Sequence, residues 1–565
     1  MLQTPLTSRK LHGIITLRTP LALLFISLGI IASAWWWLAT PVTLVRAPID
    51  PAAKLECVSY APFRGEQTPH DSTLVVPPEQ IAEDLAELAK ASKCIRTYSI
   101  DNGLDKVPEL ASKVGLKVLL GIWLGRDHAK NAILADHAIA LARNNHGTIS
   151  AIIVGSEVLL RGDMVVNDLR EIIRSVKRRT DVPVTYADVW EFWLRYREIG
   201  ADVDFVTVHF LPYWEDVPVH AEHAASHVDQ VRLQIVSAFP GKEILIGETG
   251  WPSFGRMRDG ALASRINQAR FISEILDRAA RDKFRVNLFE AYDEPWKRKW
   301  EGTVGGYWGA FDATGRKPKY PAGVEISNHP SWKLQMASGL AFCVCIFIVA
   351  LLTPRRQSSG PAAWVAVAIC ATVGGVLLGI GTEKMLLESF GAGGWLLNGL
   401  LLAAGTAAPL LAAHALMSGI PLPTFAEVLS PPDRRAPSWP KRTLGLTLIV
   451  TSVMATESAL GLVFDGRWRN FPFASLTMAV VPFFTVAISN AAQSGRRAVA
   501  EAVFAGLLAI TAVYIAFNEG PQNWQSLWTC AAYLVLGITL WRPRTLAETA
   551  RDVAPAAVME PARHL

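Results

Sequence analysis

The sequence predicts an α/β chain in two parts, a (β/α)8 TIM barrel and a multi-span α-helical membrane domain. Three observations carry this. Between Cys57 and Lys297 a short apolar, β-branched run, a polar turn and a helical stretch recur eight times. From Ser331 onward long apolar stretches dominate, and one more, Leu21–Ala39, precedes the barrel. At 565 residues, 51% of them hydrophobic, the chain exceeds one ordinary domain.

The strand runs are Cys57–Phe63, Lys93–Ile100, Lys117–Leu124, Ile149–Glu157, Pro183–Trp190, Phe205–Trp214, Glu243–Trp251 and Arg285–Pro295. The clearest helices between them are Pro78–Ser92, His128–Asn144, Asn167–Arg179, Val219–Phe239 and Leu262–Arg281. Near-continuous apolar strands mark a parallel sheet covered on both faces, and their alternation with helices marks βαβ units. Eight such units in roughly 250 residues match a barrel in size. A doubly wound open sheet is the runner-up. Against it, Tyr60-Ala61-Pro62-Phe63 stands where that fold would carry a Gly-rich phosphate loop.

A membrane-crossing helix needs about 20 mostly apolar residues. Leu21–Ala39 qualifies and ends in Trp35, Trp36 and Trp37, suited to an interfacial aromatic belt. Seven further spans are expected near Leu334–Leu352, Ala362–Ile380, Trp395–Met417, Leu444–Phe464, Phe471–Ile488, Ala498–Phe517 and Trp524–Trp541. Buried helices of a soluble protein, the alternative, fail on number, length and unbroken apolarity. Arg9, Lys10 and Arg18 precede the first span, and Arg355, Arg356, Arg434, Arg435, Lys441, Arg442, Arg496, Arg497, Arg542 and Arg544 recur at every second boundary. The intervening loops, near Glu383–Glu388, Asp465–Asn470 and Asn518–Gln522, are less basic, Arg467 and Arg469 excepted. The positive-inside bias therefore predicts a cytoplasmic segment 1–20, an anchor helix 21–39 and an extracytoplasmic barrel 41–330. A membrane domain 334–541 and a cytoplasmic tail 542–565 follow, in a bacterial inner membrane with the barrel on the periplasmic or outer side. Ala32-Ser33-Ala34 resembles a signal-peptide cleavage site, but cleavage there would leave Trp-Trp-Trp-Leu as an exposed terminus, so a retained anchor is expected.

His414 and Glu457 lie inside spans and are functional candidates on that ground, paired in the bundle or placed near its interfaces. The net charge of +5 is small and its basic residues sit at span ends, which speaks against nucleic acid as a partner. Cys343, Cys345, Cys370 and Cys530 read as small apolar residues of the spans. Cys57 and Cys94 open two consecutive strands and are expected as free buried thiols, although an oxidising compartment would permit a bridge. No Cys/His spacing suggests zinc, and no metal or cofactor is expected.

A barrel of this kind gathers its chemistry at the C-terminal ends of its strands. Those ends carry Tyr60; Arg96 and Tyr98; Gly155-Ser156-Glu157; Asp188, Trp190 and Glu191; His209, Tyr213 and Trp214; Gly247-Glu248-Thr249-Gly250-Trp251; and Glu290 through Lys297. A carboxylate against an apolar strand is costly unless paired or functional. Any single one has an ordinary reading as an ion-paired core residue, but several at one mouth point to acid/base chemistry. Their mixture with Trp and Tyr points to carbohydrate, since glycosidases need two carboxyl groups and aromatic faces stack on sugar rings. The cation clusters and Gly-rich loops of phosphate chemistry are not found.

These residues resemble glycoside hydrolase family 17, over about Cys57 to Asp312. The carrying segments are Gly247-Glu248-Thr249-Gly250-Trp251-Pro252-Ser253, Val154-Gly155-Ser156-Glu157-Val158-Leu159-Leu160-Arg161-Gly162-Asp163 and Phe289-Glu290-Ala291-Tyr292-Asp293-Glu294-Pro295-Trp296-Lys297. The resemblance implies a (β/α)8 enzyme acting on β-1,3-glucan with retention of configuration, Glu157 being the general acid/base and Glu248 the nucleophile. Ser156 stands where plant members carry Asn, as in the fungal and bacterial branch that includes glucanosyltransferases. Expected substrate-binding residues are Tyr60, Arg96, Tyr98, Ser156, Trp190, Glu191, His209, Tyr213, Trp214, Trp251, Glu290, Asp293, Trp296 and Lys297, with Glu290 the main competitor for a direct catalytic role. Glu157 should have a raised pKa from partial burial and the nearby Glu248 charge, and Arg96 or Tyr213 should stabilise ionised Glu248. Hydrolysis and transglycosylation both stay open. The lipid bilayer is an expected partner, and a glucan synthase or export complex is a candidate one. The reading from another class is a non-catalytic glucan sensor or export component.

Overall fold

A computed structural model describes residues 7–44, 46–50, 52–354, 360–430, 438–489, 495–542 and 544–546. Arg355, Arg356, Arg434, Arg435, the tail beyond residue 546 and the side chains of Arg9, Lys10, Arg496 and Arg544 therefore lie outside the described residues.

A long helix, α1 (Thr7–Leu38), leads into β1 (Cys57–Ser59), α2 (Pro78–Ala91), β2 (Cys94–Arg96), α3 (Val107–Lys113), β3 (Lys117–Ile122), α4 (His128–Asn144) and β4 (Ile149–Ser156). Then come α5 (Val166–Lys177), β5 (Val184–Val189), α6 (Trp190–Arg195), β6 (Val206–His209), α7 (Ala221–Ala238), β7 (Ile244–Thr249), α8 (Arg265–Asp282), β8 (Arg285–Leu288) and α9 (Arg298–Gly305). The eight strands form a closed barrel, every pair parallel, with Cys57 of β1 opposite Asn287 of β8 at the seam. The helices start where their chemistry allows. Asp127 accepts from the Lys130 amide at the head of α4, and Ser264 accepts from the Asn267 amide at the head of α8. On α5, Leu169, Ile173 and Val176 form the buried stripe that packs on the sheet.

Alternate strand positions feed two cores. Val58, Ile95, Val118, Ile152, Val206 and Ile246 face the helices, whereas Leu119, Ala151, Ile153, Ala187 and Leu245 fill the barrel. Cys57 and Cys94 belong to the inner set and are joined as a disulfide, correcting the expectation of free thiols. The reason is register. Val58 pairs with Ile95, so the two cysteines are direct neighbours one residue earlier, aimed at the same interior.

The C-terminal part comprises α10 (Trp332–Leu352), α11 (Pro361–Glu388), α12 (Gly391–Ser418), short α13 (Phe425–Leu429), α14 (Trp439–Phe464), α15 (Phe473–Ser489), α16 (Val499–Glu519) and α17 (Trp524–Trp541), a bundle of largely apolar helices. Gly495–Arg497 and Arg544–Leu546 make a short antiparallel ladder, β9 with β10. Every expected span is a helix. Among the described residues six of them, counting Arg18–Leu38 of α1, are long and apolar enough to cross a membrane; Phe473–Ser489 is a shorter apolar helix, and Trp524–Trp541 is not one of the six. Of the three consecutive tryptophans, Trp36 and Trp37 are exposed, but Trp35 is buried with Ile31 in the bundle core. Ser27 also accepts from Thr372 on α11 at 2.9 Å, so α1 packs as a member of the bundle.

His414 and Glu457 do not pair. His414 meets Thr353 at 3.0 Å near the end of α10, while Glu457 lies 3.9 Å from Arg469 beyond the far end of α14.

Barrel and bundle touch through three connections of the bundle. Tyr307 donates to the Leu387 carbonyl at 3.0 Å and Arg298 to that of Ser389 at 2.8 Å. Asn470 donates to Thr303 at 2.8 Å. Arg256 pairs with Glu519, and Asn523 donates to the Met257 carbonyl at 3.0 Å. These connections, α11 to α12, α14 to α15 and α16 to α17, meet the rim formed by the segments after β7 and β8.

Candidate active site

Glu157 follows directly on β4, its amide bonded to the Ala187 carbonyl of β5 at 2.8 Å. Its φ of +55° is left-handed, a region a branched-out L residue enters at some cost, so the backbone is bent to present this side chain. Glu248 sits in β7, opposite His209 of β6. One oxygen of each glutamate and one His209 nitrogen lie within 4.8 Å of one another.

His209 bridges the pair. Its Nδ1 is 2.8 Å from Glu157 Oε1, and its Nε2 is 3.0 Å from an Arg96 guanidinium nitrogen. A guanidinium only donates, so Nε2 accepts, and Nδ1 carries the ring proton and donates to Glu157. Burial, with Arg96 adding to it against the Glu248 charge, depresses the imidazole to about 3, which keeps the ring neutral.

Arg96 is the electrostatic centre. Its guanidinium stands 3.4 Å from Glu248 Oε1 and donates to the Gly247 carbonyl at 2.7 Å and to Ser156 Oγ at 3.1 Å. Gly247 makes room for this. A Cβ there would lie 2.4 Å from Thr207 Cγ2 and 3.1 Å from both Arg96 and His209. The three donor groups of Glu157, His209 and Glu248 could in shape embrace a cation, but the Arg96 positive charge already occupies that role beside Glu248.

Burial raises the Glu157 carboxyl, with Arg161 and then Arg96 opposing. The driver is desolvation; the Glu248 charge expected to contribute is not among the causes. Asp188, fully buried on β5, is pushed up to about 7 by burial, with the Glu157 charge also raising it against the Tyr186 hydroxyl that donates to it.

The segment after β8 is a set of buried pairs. Lys297 donates to Glu290 at 2.6 Å, Lys319 to Asp293 at 2.9 Å and the Trp296 indole to Glu294 at 2.6 Å. Burial lifts Glu290 to about 7 against the Lys297 charge. Glu290 Oε1, Glu294 Oε1 and Trp190 Nε1 are buried without a hydrogen-bond partner. Tyr98 donates to or accepts from Ser59 at 2.7 Å and lies under the Arg96 guanidinium, 4.6 Å from its ring centre. Trp214 and Trp296 are half-buried, and Glu191 is exposed at the head of α6.

Three expected substrate contacts are placed elsewhere. Tyr60, Tyr213 and Trp251 are completely buried. Tyr60 bonds Asp84 of α2 at 3.2 Å, Tyr213 donates to the Arg256 carbonyl at 2.8 Å, and Trp251 donates to that of Leu262 at 3.0 Å. All three pack beneath the rim, because a strand end alternates its side chains and half of them turn toward the helices. Arg96, and not Tyr213, attends Glu248.

Three residues at the mouth carry no expectation from sequence. Trp123 is exposed directly after β3, with the Arg161 guanidinium 4.1 Å over its ring. Its place at a strand end was the available signal. Trp308 stacks on Trp214 at 6.4 Å, and burial raises the Glu301 carboxyl of α9, with the Glu157 and Glu248 charges adding to it against Lys297. These two lie past the last strand, where no periodicity singles them out.

A closed (β/α)8 barrel with two glutamates facing one another at its mouth defines a glycoside hydrolase domain. Residues 57–309 match the BtgE/BtgC glycoside hydrolase domain model. The chain is 32% identical to the Schizosaccharomyces pombe glucan 1,3-beta-glucosidase over 249 residues, covering 40% of this chain and 76% of that protein. It is 28% identical to the Arthroderma benhamiae glucan 1,3-beta-glucosidase, covering 44% and 85%. It also matches the Aspergillus fumigatus "Probable beta-glucosidase btgE" at 28% identity, spanning 41% of that protein's length. Among solved structures it is similar to the glycoside hydrolase family 17 beta-1,3-glucanosyltransferase of Rhizomucor miehei, with 26% identity, 47% and 95% coverage and a TM-score of 0.42. The chain belongs to the family of the glucan 1,3-beta-glucosidases it matches, a glycoside hydrolase family as the sequence motifs implied.

Proposed function

We propose that the protein is a retaining glycosidase or transglycosylase acting on β-1,3-glucan at the outer face of a bacterial inner membrane. The observation that carries this is the approach of a Glu157 oxygen to a Glu248 oxygen, within 4.8 Å. Retaining enzymes place their carboxyl groups about 5–5.5 Å apart, whereas inverting ones leave about 6.5–9.5 Å for a water.

The side chains then divide the work. Glu157 starts protonated, its Oε1 accepting from His209 Nδ1, and gives its proton to the glycosidic oxygen. Glu248, with the Arg96 guanidinium 3.4 Å away, attacks the anomeric carbon as the bond to that oxygen breaks, and a glucosyl ester forms. Water or a sugar hydroxyl then attacks the same carbon, Glu157 takes its proton, and Glu248 is released. The unpartnered oxygens of Glu290 and Glu294 and the Trp190 indole offer bonds to sugar hydroxyls. Trp123 and Tyr98 offer faces for the rings.

The outward orientation draws support from the barrel's contacts, which fall on the three connections expected to face outward, weakly basic but for Arg467 and Arg469. The Cys57–Cys94 bridge fits an oxidising compartment. Domain limits of 41–330 and 334–541 and a cytoplasmic tail from 542 complete the proposal. Mass analysis of laminari-oligosaccharides incubated with the full chain tests it. Shorter products mean hydrolysis, longer or branched ones mean transfer, and an unchanged input would overturn the enzyme reading in favour of a sensor.

A further inference from the structure

We propose that the connection between α14 and α15, a membrane-domain segment, forms part of the glucan cleft, with Trp468 and Arg467 binding a saccharide unit remote from the bond that breaks. This rests on the glucan reading above. Trp214 follows β6 by five residues, and β6 ends in the His209 that touches both catalytic glutamates. The Trp468 ring meets Trp214 edge-on at 5.7 Å, and the Arg467 guanidinium lies 5.5 Å over the same indole. The backbone of Trp468 packs on α9 at Gly302, whose φ is +66° and whose Cβ, if present, would fall 2.6 Å from the Trp468 carbonyl oxygen. Gly302 adjoins Glu301, whose carboxyl burial raises, with the Glu157 and Glu248 charges adding to it against Lys297. The loop thus closes the rim between the segments after β6 and β8.

The chemistry of this rim is that of a ligand site. Arg258 also lies over Trp214, at 5.2 Å, so two guanidiniums flank one indole. Among the described residues neither has a carboxylate within ion-pair distance, and burial lowers the Arg258 guanidinium, with the Arg467 charge adding to it. Arg467 is exposed and Trp468 half-buried. Arg467 also breaks the charge bias of an outer loop, so orientation in the membrane gives no reason for it. Guanidinium donors beside a half-open indole suit a neutral, oxygen-rich ring. Energy gained there, on a remote unit, goes into turnover of long chains and is out of reach of short ones.

The test uses the full chain in nanodiscs and laminari-oligosaccharides of two to seven units. For Trp468→Ala and Arg467→Ala, the ratio of kcat/KM for the longest to that for the shortest substrate should fall about tenfold. Asn470→Ala, which loosens the docking on Thr303 without touching either side chain, should leave that ratio unchanged. An unaltered ratio in the first two variants overturns the proposal. So does an equal loss at every length, or the same fall in Asn470→Ala, since either means that the loop only holds the two domains together. A wild-type protein that leaves every oligosaccharide untouched refutes the glucan reading instead.

Discussion

His209 Nδ1 donates to Glu157 Oε1 across 2.8 Å, and the direction of that bond is set by Arg96 on the other ring nitrogen. The donor favours the ionised carboxylate while burial favours the acid, and burial wins, since Glu157 is raised. Because Glu157 must begin protonated, activity falls as pH rises through its pKa. Removing the donor in His209→Ala destabilises the carboxylate further. The basic limb of the kcat/KM profile should then move to higher pH, even as kcat drops. A limb that moves down would contradict the tautomer.

Glu157→Gln should lose turnover of natural glucan by about a thousandfold or more, while an aryl glucoside with a good leaving group keeps most of its glycosylation rate. A burst measurement with a dinitrophenyl substrate separates the two. Equal loss on both would point away from an acid role. Glu290 is the control residue. Held by Lys297 at 2.6 Å, it is expected to affect KM more than kcat when changed to Gln.

Arg96→Ala leaves Glu248 charged, buried and without its counter-ion. Breaking a buried pair this way costs about 3–5 kcal/mol. The variant should show both a marked fall in melting temperature and a loss of kcat/KM. Arg96→Met, of similar volume, should recover part of the stability and none of the activity.

Asp188 titrates at about 7 in the folded protein, because burial and the Glu157 charge oppose its ionisation. An unfolded aspartate has released its proton by about pH 4. Between those values the folded state binds the extra proton, so this group's contribution to stability falls as pH rises from about 4 to 7. Asp188→Asn removes the penalty. Its melting temperature should gain on the wild type from pH 5 to pH 8, and a gain that shrinks over that range would reject the assignment.

Cys57 and Cys94 should resist alkylation in protein taken from intact cells until a reductant is added, whereas exposed Cys345 reacts at once in detergent. Ready labelling of the strand cysteines would argue for a cytoplasmic barrel.

Much of this was readable from residue order. Eight apolar runs separated by helical stretches imply eight strands, but not the register between neighbours, which is what sets Cys57 beside Cys94. The strand lengths were overestimated. Cys57–Phe63 shrinks to Cys57–Ser59, because the polar and aromatic residues after a strand look β-prone yet form the loops of the mouth. The same effect placed Tyr60, Tyr213 and Trp251 on the wrong side of the wall, since sequence does not say which way a residue turns once the strand has ended. Glu157, Glu248 and Arg96 could be named from their strand ends. The contact of Trp468 with Trp214 could not, because it joins positions 254 residues apart through two domains that share no pattern.

The three docking points between barrel and bundle have a mechanical consequence. One rim is tied through Tyr307, Thr303 and Arg256 to three different helix pairs, while the opposite rim carries the exposed Trp123. If the bundle spans a bilayer as proposed, a tilt of those helices shifts one side of the barrel mouth against the other, and lipid composition becomes a variable to scan alongside substrate length.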